Sequence, residues 1–259
     1  MSTVADWFRA TLLGIIQGAT EFLPVSSSGH LALGNHLVGL NEHELALTVW
    51  LHLGTLLAVC WVYRAELIRM ARGDFALVRL VMAGFVPTAV IGLIARPVVE
   101  GAFESLGFVG LFFLVTAAAL VLGEARLRRT SEPQHSVSVV HALVVGVVQS
   151  LALLPGVSRS GITIAAALCM GISRPVAAHF SFLLSIPVIA GATAVEVPEL
   201  WAAAHDLGFA ELAIGLAASF LSGLFALRWL LRLVPNRSLL PFAAYCALLG
   251  LVVLLLHAA

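Results

Sequence analysis

Apolar residues occupy most of the chain in long runs that are separated by short polar connections. A helix needs about 20 apolar residues to cross a hydrocarbon layer about 30 Å thick. Six runs approach this length and predict transmembrane helices, at 45–63, 78–95, 107–122, 175–196, 208–228 and 239–257. Two further apolar stretches, 8–40 and 137–172, are each interrupted midway by a polar segment with Pro and Gly.

Arginine is concentrated in every second connection. The connections 64–79, 124–135 and 228–237 contain three or four arginines each, which is typical of cytoplasmic loops. The alternating connections are poor in arginine and carry acidic residues, namely Glu42, Glu44, Glu100, Glu104, Glu196, Glu199 and Asp206. This pattern predicts that both termini lie on the outer side, and that 8–40 and 137–172 each return to the side they left. We therefore expect two re-entrant helical hairpins.

Composition agrees with a membrane protein. Hydrophobic residues make up 61% and charged residues 11% of the 259 residues, and the mean hydropathy is +1.04, whereas soluble domains are about half apolar and a quarter charged. The formal net charge is zero and no basic stripe is present, which argues against nucleic acid as a partner. Membrane lipids are the expected partners, and a second copy of the chain, in a homodimer, is another candidate.

The two interrupted stretches are related in sequence. The segment 14–30, "GIIQGATEFLPVSSSGH", aligns with 146–162, "GVVQSLALLPGVSRSGI", at an offset of 132. The same offset aligns the three predicted spans of the first half with the three of the second half. Each repeat, about 1–123 and about 133–259, then holds one hairpin and three crossings. Because three is odd, the second repeat is inverted. We predict a single all-α integral membrane domain with inverted repeats whose interrupted helices meet near the midplane.

The second polar segment predicts an anion site. We call residues 154–164, "LPGVSRSGITI", the second break; it holds Ser158, Arg159, Ser160 and Thr163 and leads into a half-helix expected to begin near Ile162. Free N–H groups at a helix N-terminus, hydroxyl donors and a forked guanidinium together suit phosphate.

The first polar segment contains groups that hydrolysis requires. We call residues 21–30, "EFLPVSSSGH", the first break. Its serines offer nucleophiles or donors, His30 can act as a nucleophile or general acid/base, and Glu21 can orient His30, activate water or bind a divalent cation. If 12–22 is helical, Gln17 and Glu21 share one face. The alternative is that Glu21 and Arg159 form a structural ion pair that braces two irregular loops.

The two breaks resemble the signature motifs of the undecaprenyl-diphosphate phosphatase family, membrane enzymes associated with bacitracin resistance. Their separation, the chain length and the hydropathy pattern are also similar. The resemblance implies removal of the terminal phosphate of undecaprenyl diphosphate, which recycles the lipid carrier for cell-envelope synthesis. It further implies a divalent cation, Mg²⁺ or Ca²⁺, and a site that opens to the periplasmic side of the bacterial inner membrane.

Carried over residue by residue, the resemblance implies two sets of site residues. The catalytic set is Glu21, Ser27, His30 and Arg159, with Glu21 also a candidate metal ligand. The set that binds the substrate phosphates is Gln17, Ser26, Ser158, Arg159, Ser160 and Thr163.

Position 17 departs from the family pattern, in which two glutamates stand four residues apart. Gln17 keeps the size and the carbonyl acceptor but cannot act as a base and is a weaker metal ligand. Either the protein works with Glu21 alone, or it is a homologue of reduced activity, or Gln17 is an engineered change that traps substrate. A fourth alternative is a structural role, because Gln149 occupies the equivalent place in the second repeat.

Two other classes of function compete with hydrolysis. Inverted repeats with broken helices are common in carriers, so a flippase for undecaprenyl phosphate could use the same phosphate site without a nucleophile. A structural, bacitracin-shielding binder would leave the polar breaks without a purpose. Within the hydrolase hypothesis the nucleophile stays open between Ser27, His30 and water.

Overall fold

The computed structural model describes residues 4–38, 42–103, 105–203 and 208–258, with side chains except at 35–38, 42–46, 48, 49, 100, 103 and 196–203. Over these residues the chain forms eleven α-helices and one 3₁₀-helix (Ser150–Leu153). The α-helices are α1 (Val4–Phe22), α2 (Ser27–Val38), α3 (Glu42–Val62), α4 (Arg64–Ala71), α5 (Phe75–Phe103), α6 (Leu106–Arg128), α7 (Val139–Gln149), α8 (Arg159–Cys169), α9 (Arg174–Ala203), α10 (Phe209–Leu233) and α11 (Leu240–Ala258).

All six predicted spans are helical, as α3, α5, α6, α9, α10 and α11. Five of them are long and apolar enough to cross a membrane. In the sixth, α3, the part Trp50–Val62 meets the same test together with Arg64–Ala71 of α4, from which it is bent by 76°. The bend lies at Tyr63 and Arg64, where the apolar run ends and the first arginine-bearing connection begins. The prediction of an all-α, multi-spanning membrane protein is confirmed.

The two interrupted stretches form helix–break–helix units, α1 with α2 and α7 with α8. In the second unit the two ends are joined: Gln134 N donates to Gly171 O at 2.8 Å, and Ser173 N donates to Gln134 O at 2.9 Å. This hairpin therefore leaves and returns at one end of the bundle. The return of the first hairpin stays a prediction, because residues 39–41 lie outside the described residues.

Small residues let α1 and α10 pack closely. A Cβ at Gly18 would lie 2.0 Å from Ser222 Oγ, and one at Gly14 would lie 2.6 Å from Gly215 O. Glycines four residues apart are a frequent contact surface between membrane helices, because they allow the two backbones to approach. The contact fixes α1, and with it the first break, against the second half of the chain.

The second break lies about halfway through the bundle. Glu124, near the end of α6, accepts hydrogen bonds from Arg174 Nε at 2.9 Å and Leu239 N at 3.0 Å, so the ends of three helices meet there. From this arginine-bearing end, α8 extends 11 residues to Arg159, a rise of about 16 Å. That is about half of a typical hydrocarbon thickness. The acidic residues of the opposite connections, which supported the topology prediction, lie outside the side chains that the structure describes.

Candidate active site

Glu21, in the last turn of α1, is the centre of a buried polar cluster, and its side chain is 8% exposed. Its Oε1 accepts a hydrogen bond from Arg159 Nη2 at 2.8 Å. Its Oε2 accepts hydrogen bonds from Ser27 Oγ at 2.8 Å and Gln17 Nε2 at 3.1 Å. His52 Nε2 lies 4.0 Å from the same oxygen. The structure thus brings three of the predicted site residues onto one carboxylate, across both breaks.

Glu21 and Arg159 form an ion pair, as the structural alternative requires, but two polar atoms beside this pair have no hydrogen-bond partner. Arg159 Nη1 and Gln17 Oε1 are buried and have no hydrogen-bond partner. Each buried polar atom without a partner costs about 1–3 kcal/mol. A free donor and a free acceptor beside the same carboxylate favour a site that is completed by a ligand.

The backbone of the first break directs Ser27 toward Glu21. Ser26 has a φ of 66°, in the left-handed region that is unfavourable for a residue with a side chain. Its Oγ accepts a hydrogen bond from Gly29 N at 3.2 Å and so caps α2, which begins at Ser27. Conformations of this kind cost about 1–3 kcal/mol and persist where the surrounding structure enforces them, often at functional sites.

His30 lies next to the Glu21 cluster but is bonded elsewhere. Its Nδ1 is 2.7 Å from Ser26 O, and its Nε2 is 2.7 Å from the hydroxyl of Tyr245 on α11. The Phe113 ring packs edge-on, with centroids 5.6 Å apart. Because both ring nitrogens are occupied, Glu21 does not orient His30 here, and that part of the expectation was wrong.

Helix α8 is capped by Ser158, a serine of the second break. Ser158 Oγ accepts a hydrogen bond from Gly161 N at 3.1 Å, so α8 begins at Arg159. The predicted start near Ile162 was wrong by one turn, because Ser158 takes the capping position. Ser158 N donates to Thr116 Oγ1 at 2.9 Å. Ser160 Oγ donates to Leu23 O at 3.1 Å and ties the two breaks together.

Thr163 is hydrogen-bonded within α8 and to α9. Its hydroxyl donates to Arg159 O at 2.8 Å and lies 2.6 Å from Ser181 Oγ on α9. Sequence reasoning missed Thr116, Ser181 and Tyr245, which contact the breaks from other helices. No local motif marks them; the one available signal was that Tyr245 is one of only two tyrosines.

The acidic ligands for a metal are few. Among the residues that the structure describes, no three His, Cys, Asp or Glu side chains are grouped so that they could hold a metal ion. At the breaks, Glu21 supplies the carboxylate, and Gln17 and Ser27 supply neutral oxygens beside it. The site therefore offers an incomplete oxygen shell for a cation.

The sequence is similar to those of known proteins. Residues 10–252 match the family described as "Bacitracin resistance protein BacA". A protein of Desulfatibacillum aliphaticivorans named undecaprenyl-diphosphatase is 43% identical over 96% of this chain and 98% of its own length. Proteins of the same name from Halothermothrix orenii and Carboxydothermus hydrogenoformans are each 40% identical, over 96% and 97% of this chain and 97% and 98% of their own lengths. The chain belongs to the bacitracin resistance protein BacA family.

Proposed function

We propose that this protein is an undecaprenyl-diphosphatase, which hydrolyses undecaprenyl diphosphate to undecaprenyl phosphate and inorganic phosphate and thereby contributes to bacitracin resistance. The observation that carries the proposal is the buried carboxylate of Glu21, which is bonded to the hydroxyl of Ser27 and to the guanidinium of Arg159. This matches the pattern of an activated nucleophile, in which a hydroxyl is bonded to a base and a third group, here Arg159, orients that base. The names of the relatives supply the substrate.

Ser27 is the nucleophile that the geometry favours. Its Oγ attacks the terminal phosphorus, its proton passes to Glu21, and the bond between that phosphorus and the bridging oxygen breaks, so that undecaprenyl phosphate leaves. Water then attacks the phosphoserine, the phosphorus–Oγ bond breaks, and inorganic phosphate is released as Ser27 regains a proton. His30 is less suited to attack, because both of its ring nitrogens are hydrogen-bonded.

Arg159 would bind the diphosphate while it holds Glu21. Its Nη2 is bonded to the carboxylate, whereas Nη1 is buried without a partner and is available to a phosphate oxygen. The N-terminus of α8 adds further donors, with the hydroxyls of Ser158 and Ser160 beside it, and Ser26 contributes a hydroxyl from the first break. In phosphoryl transfer, such positioning and charge stabilisation supply most of the catalysis.

A divalent cation, Mg²⁺ or Ca²⁺, fits this set of oxygens when the substrate completes the shell. Mg²⁺ is commonly bound by one or two carboxylates together with substrate phosphates. Glu21, Ser27 and the unpartnered Gln17 Oε1 would hold it. When bound, the cation would neutralise charge on the phosphates.

The proposed location is the bacterial inner membrane, with the site open to the periplasmic side. The orientation is supported by the arginine-bearing ends of α6 and of the α9 and α11 segments, which meet at Glu124. By the positive-inside rule that end faces the cytoplasm. The prenyl tail would lie along the apolar, lipid-facing surfaces of the helices around the breaks.

We infer that the single domain consists of two inverted repeats, about 1–123 and 133–259. Two pairs of contacts support this. The serine just before the second helix of each hairpin is bonded alike: Gly29 N donates to Ser26 Oγ at 3.2 Å, and Gly161 N donates to Ser158 Oγ at 3.1 Å. The helix packing is also alike, because α1 packs on α10 and α7 packs on α5. By the offset of 132, α7 is the counterpart of α1, and α10 is the counterpart of α5.

The nucleophile is tested with substrate labelled in its terminal phosphate. Purified protein is mixed with the labelled lipid and quenched in acid, and Ser27→Ala is compared with Ser28→Ala. Ser28 is a neighbouring hydroxyl that contacts Ser26 rather than Glu21. We expect label on the natural protein, none on Ser27→Ala, and a far larger loss of phosphate release in Ser27→Ala than in Ser28→Ala. Near-normal turnover by Ser27→Ala would refute the assignment.

A further inference from the structure

Tyr245 connects the last helix to the first break through His30. Its hydroxyl is 2.7 Å from His30 Nε2, and the two residues are 215 positions apart. The two rings are parallel within 3°, with centroids 5.7 Å apart. Nothing in the motif of the first break indicates this contact, and the proposed reaction does not use it.

The hydrogen bonds of His30 determine which ring nitrogen carries its proton. Ser26 O is a carbonyl oxygen and can only accept, so Nδ1 must hold a hydrogen and donate to it. In the neutral ring Nε2 is then an acceptor, and the Tyr245 hydroxyl donates to it. Tyr245 therefore favours the one neutral tautomer that can bond to Ser26.

The Ser26 carbonyl accepts two hydrogen bonds from His30. It accepts hydrogen bonds from His30 N at 3.2 Å and, more closely, from His30 Nδ1 at 2.7 Å. Among the described residues other than glycine, Ser26 is the one with a φ in the left-handed region, at 66°. Holding its carbonyl fixes the peptide that leads to Ser27, whose Oγ is then 2.8 Å from Glu21.

We propose that Tyr245 is a positioning residue, which holds His30 in the Nδ1-protonated form so that His30 clamps the Ser26 carbonyl and aims Ser27 at Glu21. The role in turnover rests on the proposed function, whereas the coupling between Tyr245 and His30 does not. Tyr245 itself needs no contact with the substrate.

The test is Tyr245→Phe, which removes the hydroxyl and keeps the ring. The chain offers a matched control in Tyr63→Phe, because the Tyr63 hydroxyl is buried and has no hydrogen-bond partner. Nitrogen NMR of histidine-labelled protein reports the tautomer of His30, whose signal is assigned with His30→Gln. Phosphate release gives kcat and KM for the same samples.

For Tyr245→Phe we expect a mixture of His30 tautomers and a fall in kcat of about threefold to tenfold, the range for one lost hydrogen bond, with KM little changed. Tyr63→Phe should leave the His30 signal and kcat as they are. An unchanged His30 signal in Tyr245→Phe overturns the clamp, and so does a mixed tautomer with full kcat. If the natural protein releases no phosphate, the proposed function fails, but the tautomer measurement still decides whether Tyr245 controls His30.

Discussion

The variant Arg159→Lys tests whether the guanidinium binds the substrate phosphate in addition to pairing with Glu21. In the structure Nη2 of Arg159 is bonded to Glu21, and Nη1 is buried without a partner. Lysine keeps the positive charge next to Glu21, and so avoids the cost of about 3–5 kcal/mol that follows when one partner of a buried ion pair is removed. An ammonium is, however, a single point charge and cannot reproduce the fork that serves carboxylate and phosphate together.

The size of the effect follows from one lost contact. A hydrogen bond to a charged group contributes about 1.5–3 kcal/mol. If the phosphate loses one such bond in the transition state, kcat/KM should fall by about 10-fold to 150-fold. Because the pair with Glu21 is retained, the melting temperature should change little.

The assay is phosphate release from undecaprenyl diphosphate by purified protein in detergent, over a range of substrate concentrations. The control is Arg174→Lys, the same change at another arginine that pairs with a carboxylate, that of Glu124, at the opposite end of α8. Arg174 contacts both oxygens of Glu124, through Nε and Nη2, and lysine cannot reproduce both contacts. Arg174→Lys should therefore lower the melting temperature and leave kcat/KM unchanged. If Arg159→Lys kept full kcat/KM, Nη1 would not bind the substrate, and the ion pair would be structural, as the alternative from sequence states.

Two further predictions concern helix α1. Gln17→Glu replaces the hydrogen bond of 3.1 Å between Nε2 and Glu21 by two carboxylates side by side, so activity should depend more steeply on Mg²⁺ or Ca²⁺ and half-saturate at lower cation concentration; an unchanged cation titration would contradict this. Gly18→Ala places a Cβ 2.4 Å from Ser219 O, whereas a Cβ at Gly34 meets nothing within 4 Å. Gly18→Ala should therefore destabilise the protein by about 1–3 kcal/mol, and Gly34→Ala should not. Equal melting temperatures for the two variants would show that α1 and α10 are not packed so closely.

Much of this architecture could be predicted from the sequence, because the strongest signals are local. Apolar length gave the six spans, and polar residues with Pro and Gly marked both breaks. The offset of 132, from 14–30 to 146–162, related them and led to the expectation that Glu21 and Arg159 face each other. The structure places their side chains 2.8 Å apart.

What could not be predicted depends on contacts between distant helices. The sequence predicts that α8 begins near Ile162, whereas it begins at Arg159. Whether Ser158 caps the helix depends on its backbone angles, and neighbouring residues alone do not determine these angles. Orientation of His30 is one of the three roles that the sequence suggests for Glu21, whereas the side chain that contacts His30 Nε2 is Tyr245, which is 215 positions away. Thr116, which accepts a hydrogen bond from Ser158 N, lies within the apolar run 107–122.

The central claim is that the two breaks form a hydrolytic site, and one measurement tests it most directly. Purified protein is reconstituted in liposomes with undecaprenyl diphosphate, and inorganic phosphate, undecaprenyl phosphate and transbilayer movement of lipid are followed together. We predict equal amounts of phosphate and undecaprenyl phosphate from the natural protein and neither product from Ser27→Ala. Movement of lipid across the bilayer without release of phosphate would contradict the hydrolase and favour a carrier.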